Sequence, residues 1–73
     1  MPTLRKRFGQ RVLGIRLKKG MTQERFAELL DISVDFLSLI ERGRNALSFE
    51  TLEKMAKRLR VEPRDLFDFR DRL

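Results

Sequence analysis

Residues 21–43 read MTQERFAELLDISVDFLSLIERG and contain two short helical patterns back to back. Thr22 reads as an N-cap, with Gln23 and Glu24 in the first turn behind it. Phe26, Ala27, Leu29 and Leu30 then fall on one helical face. Ser33 reads as the next N-cap, Phe36, Leu37 and Ile40 recur at helical spacing, and Gly43 supplies a stop. Only Asp31-Ile32-Ser33 separates the two patterns, so the helices must cross at a steep angle. Ala27 is small where the helices would meet, and Ile32 is apolar within the turn and can plug the gap. This is a helix-turn-helix arrangement.

The helical signal continues outward from this segment in both directions. Upstream, Leu4, Phe8, Val12 and Ile15 share one face, and Gly20 ends the pattern. Downstream, Ser48 caps a stripe of Phe49, Leu52, Met55, Ala56 and Leu59, and Pro63 suits the first turn of a short segment carrying Leu66 and Phe67. The expectation is one all-α domain over residues 1–73, a compact bundle of about five short helices near 4–19, 23–30, 34–42, 49–60 and 63–68. Phe8, Phe26, Phe49 and Phe67 are expected in its core. The tail from Asp68 to Leu73 is mostly charged and is expected to fray, with Phe69 as an apolar exception. Leu13 and Leu17 lie off the first stripe, either as an extension of the core face or as a surface for another protein.

Composition narrows the function. The 73 residues include 17 Lys+Arg against 11 Asp+Glu, a net charge of +6, and no Asp or Glu precedes Glu24. So strong a basic pole suits a polyanionic partner. Cysteine and histidine are both absent, so the fold is held by packing, and neither a zinc site nor any cofactor is expected. No apolar run reaches the length of a membrane span, and no apolar stretch follows the basic start as a secretory signal would require; a cytoplasmic protein is expected. Without a histidine, a cysteine or a glycine-rich phosphate loop, an enzyme is poorly supported. Glu24, Glu28, Asp31 and Asp35 are accounted for by caps and solvated faces.

The segment from Met21 to Gly43 resembles the lambda-repressor-like helix-turn-helix family (Cro/repressor type, also called Xre). The resemblance runs from Phe8 to Phe67, through Phe8-Gly9-Gln10-Arg11-Val12 and Arg16 upstream and SFETLEKMAKRL to VEPRDLF downstream. It implies a DNA-binding domain whose second motif helix enters the major groove, about 12 Å wide. Ser33, Val34, Asp35, Ser38 and Leu39 would face the bases. Thr22 and Gln23, at the start of the preceding helix, would lie at the DNA backbone, with Gln23 bonding a phosphate. Arg42, Arg44 and Asn45 would reach the sugar-phosphate backbone, Arg16 and Glu41 would form an ion pair between the first and third helices, and Leu37 and Ile40 would be core.

The sequence departs from the family pattern where the bases would be read. The bidentate readers Arg, Lys, Asn and Gln are missing at Val34, Asp35, Ser38 and Leu39. Phe36 stands where the family often has tyrosine. Asp35 can accept from a cytosine amino group, Ser38 can bond several base edges, and Val34 and Leu39 can touch thymine methyls. Two functions follow. The first is a sequence-specific transcriptional regulator binding double-stranded DNA as a homodimer on a palindromic operator. Its dimer surface would come from Val61, Pro63, Leu66, Phe67, Phe69 and Leu73, and its relatives include phage repressors, restriction–modification controllers and antitoxins. A toxin or a polymerase would be its protein partner. The alternative is a protein-interaction module on the same fold, with Val34 and Leu39 as a contact patch.

Overall fold

The computed structural model describes residues 2–70. Four α-helices run as α1 (Leu4–Lys18), α2 (Gln23–Leu30), α3 (Val34–Glu41) and α4 (Phe49–Leu59). A 3-10 turn at Pro63–Phe67 follows, and there is no strand among the described residues. The segment expected as a fifth helix is thus a single tight turn. Pro63 opens it and the Asp65 carboxylate accepts the Glu62 backbone N–H at 2.9 Å, a closure that leaves too few residues for an α-helical ladder.

All four helices start and stop alike. The hydroxyls of Thr3, Thr22, Ser33 and Ser48 accept the backbone N–H three residues on, satisfying donors that the first turn leaves open. Each helix ends on a residue with positive φ: Gly20, Asp31, Gly43 and Arg60. The next N–H reaches back to the carbonyl five residues earlier, as in Met21 to Arg16, Ile32 to Ala27, Arg44 to Leu39 and Val61 to Ala56. Two of the four stops carry side chains, Asp31 and Arg60, in a conformation that favours glycine.

The core comprises Phe8, Val12, Phe26, Ala27, Leu30, Leu37, Ile40, Met55, Ala56, Leu59 and Leu66, with Ile32 packed against it from the turn. α2 packs on α3 and α4, and α1 packs on α3 and the 3-10 turn. At the α2 C-terminus, Arg58 Nε donates to the Leu29 carbonyl at 2.7 Å and Lys54 Nζ to that of Asp31 at 2.8 Å. Basic side chains of α4 thereby satisfy carbonyls that α2 leaves open, at the negative end of its dipole.

Three apolar residues expected inside lie at the surface. Leu4 is 60% exposed and Phe49 83%, because each begins its helix one turn outside the stretch that has a packing partner. Phe67 is 39% exposed. In the tight turn only one of two neighbouring side chains can point inward, and Leu66 takes that position.

Candidate nucleic-acid interface

α3 presents its outer face because its inner face is fixed. Leu37 and Ile40 are buried, which turns Val34 and Asp35 to solvent and leaves Ser38 and Leu39 half-exposed. Ser33 is exposed at the start of α3 while its hydroxyl caps the Phe36 N–H at 3.0 Å. These five residues therefore form one accessible surface that runs from the N-cap of α3 along its outer face.

Basic residues border this surface at the other end of α3. Arg42 and Arg44 are exposed on either side of Gly43, and Asn45 is half-exposed beside them. Arg42 Nε lies back along its own helix, donating to the Ser38 carbonyl at 3.3 Å. Gly43 has φ +71 and lies against Lys6, so a Cβ there would come within 2.7 Å of the Lys6 Cα. The start of α1, with Arg5, Lys6 and Arg7 all exposed, therefore abuts this basic loop.

The third cluster joins α1, α2 and α3. Arg16 Nε donates to Glu41 Oε2 at 2.7 Å and Arg16 Nη2 to Glu41 Oε1 at 3.2 Å, with the side chains only 14% and 5% exposed. Arg16 Nη1 also donates to the Met21 carbonyl at 3.0 Å. Gln23 Nε2 donates to the same Glu41 Oε1 at 2.9 Å. Sequence reasoning missed this last bond: residues 23 and 41 lie in different helices, and no local spacing connects them. Thr22, expected at the DNA backbone, uses its hydroxyl to cap α2 by accepting the Arg25 N–H at 3.2 Å.

The expected dimer residues divide. Val61 and Phe67 are exposed, at 37% and 39%, and Phe69 is half-buried. Leu66 is fully buried within the single chain, so a second subunit cannot reach it. Leu73 lies outside the described residues. The aromatic rings already have partners: Phe67 packs on Phe8 with centroids 5.1 Å apart, Phe69 meets Phe67 edge-on at 6.3 Å, and the Arg7 guanidinium sits 4.5 Å over Phe69. Arg11 Nε ties the same turn to α1 through the Asp65 carbonyl at 3.0 Å. Nearby, hydrogen bonds from Arg70 hold the Asp68 carboxyl below its ordinary pKa. Among the described residues, no group of acidic, histidine or cysteine side chains is arranged to hold a metal ion. No helix among them is long and apolar enough to cross a membrane.

Comparison with known proteins gives a consistent result. A family model described as Helix-turn-helix matches residues 14–66. The control protein C.BamHI of Bacillus amyloliquefaciens is 46% identical over 63 residues, covering 85% of this chain and 78% of its own. The crystal structure of the restriction–modification controller protein C.AhdI from Aeromonas hydrophila superposes with a TM-score of 0.78 at 35% identity, covering 85% of this chain and 94% of that one. The clp gene regulator ClgR from Corynebacterium glutamicum gives 0.82 at 32% identity, covering 94% and 90% respectively.

Proposed function

The chain belongs to the helix-turn-helix family of transcriptional regulators, and from this we propose that it is a restriction–modification controller, binding a palindromic operator as a homodimer. It is a sequence-specific DNA-binding regulator and not an enzyme. The assignment to the controller class is carried by its 46% identity to a protein named as a control protein across most of both chains. C.AhdI, 35% identical to this chain, is likewise a restriction–modification controller protein.

In this reading α3 lies in the major groove with Ser33, Val34, Asp35, Ser38 and Leu39 toward the bases. Gln23, Arg42, Arg44 and Asn45 contact the backbone, with Thr22 fixing the start of α2. Because the base-facing side chains are short or apolar, the flanking contacts supply much of the affinity, and the shape of the duplex contributes to its selection. One such helix makes few base contacts, so two copies on paired half-sites are needed for useful specificity. Val61, Phe67 and Phe69 would form the dimer surface. The site of action is the cytoplasm, where the operator DNA is.

Selection of bound sequences from a random duplex pool tests the reading directly. A palindromic consensus, together with a dimer mass in sedimentation, is the expected result. Failure to bind even random duplex at low salt would sink it and leave the protein-interaction module, for which Val34 and the half-exposed Leu39 would be the contact patch.

A further inference from the structure

The carboxylate of Glu41 has two partners, and only one of them is its ion pair. Oε2 and Oε1 take the Arg16 guanidinium, and Oε1 also takes the amide nitrogen of Gln23. We propose that Glu41 is a positioning residue for DNA binding: backed by Arg16, it holds the Gln23 amide in the orientation that donates to a phosphate. This inference rests on the regulator reading given above.

The chemistry of the three groups supports it. A carboxylate only accepts, so it holds the nitrogen of the Gln23 amide, not the oxygen, toward itself. The amide nitrogen carries two hydrogens. One goes to Glu41 and the other remains available to donate. Without the carboxylate the terminal amide torsion is broad and nearly two-fold, so the acceptor oxygen would be turned toward the phosphate about as readily as the donor. Arg16 prevents the carboxylate from turning away, because it binds both oxygens and is itself anchored on the Met21 carbonyl at 3.0 Å. Glu41 is nearly buried, and Gln23 is the first residue of α2, half-exposed at the edge of the candidate interface.

The test must separate positioning from stability, since losing one charge of a buried pair leaves the other unmatched. Replacing both, Arg16→Met with Glu41→Met, removes both charges and also removes the acceptor for Gln23. That double variant should fold cooperatively by circular dichroism and yet bind a random-sequence duplex about three- to tenfold more weakly, the loss expected of one hydrogen bond. Gln23→Ala alone should show a similar loss. Combining all three changes should add less than about twofold, because the bond is lost only once. In the unliganded protein, the two side-chain amide proton resonances of Gln23 should move to the positions of a solvated glutamine when the pair is replaced. Additive losses, full affinity in the double variant or unmoved Gln23 resonances would each overturn the proposal while leaving the regulator reading intact. If the wild-type chain binds no duplex at low salt, the regulator reading fails and this inference fails with it.

Discussion

Gly9 of α1 lies directly against the backbone carbonyl of Ile40 near the end of α3, and any Cβ at position 9 would overlap that oxygen and approach that of Glu41. Both neighbours are main-chain atoms that cannot move without shifting a helix. Gly9→Ala should therefore destabilise the fold by about 1–3 kcal/mol, the usual cost of overpacking, despite alanine's better helix propensity. Urea or thermal unfolding reads this directly; an unchanged midpoint would mean that α1 and α3 do not approach so closely.

The Arg16–Glu41 pair makes a different stability prediction. Changing Arg16 or Glu41 alone to Met leaves a charge without its counter-charge in a largely buried setting and should cost roughly 3–5 kcal/mol. Changing both should recover most of that loss. Denaturation curves of the two single variants and the double form a closed cycle; independent, additive losses would show that the charges do not depend on each other.

The candidate backbone contacts predict salt dependence. Arg44 is exposed, so Arg44→Ala should leave the unfolding midpoint nearly unchanged. It should weaken binding to every duplex alike and reduce the slope of log affinity against log salt by about 0.9 for each phosphate that is no longer neutralised. Ser38→Ala should instead change base preference at one operator position. Titrations at several salt concentrations separate the two, and an unchanged slope for Arg44→Ala would remove that residue from the backbone contacts.

The end of α4 offers a stabilising change. Arg60 sits at φ +58, where a side chain is strained and glycine is not. Arg60→Gly should raise stability by about 0.5 kcal/mol, the relief being partly offset by the greater freedom of glycine in the unfolded chain. Chemical denaturation should detect a higher midpoint; a lower one would show that the Arg60 side chain makes a contact worth more than the strain.

Local chemistry made much of this legible from the sequence. The hydroxyls at Thr22, Ser33 and Ser48 and the stop at Gly43 announce themselves within a few residues, since caps and turns depend on near neighbours. Asp31 and Arg60 serve as stops without glycine's signature, so residue type could not show their positive φ. Helical periodicity placed Phe49 and Leu4 on the right stripe but carried no information about where each packing partner ends. Leu66 and Phe67 are adjacent apolar residues, and only the tightness of their turn decides which goes inside. In the candidate site, the outward residues of α3 followed from the inward ones, whereas the bond from Gln23 to Glu41 depends on a helix crossing that no spacing records.

The junction at Glu41 has a mechanical consequence. One carboxylate gathers α1, the start of α2 and the end of α3, while Gly9 seats α1 on the α3 backbone. In the proposed docking, the helix that enters the groove is therefore braced against α1 and the start of α2. In that reading the duplex supplies much of the adjustment, so stiff and flexible base steps that touch no side chain should still be sorted by the energy of bending them.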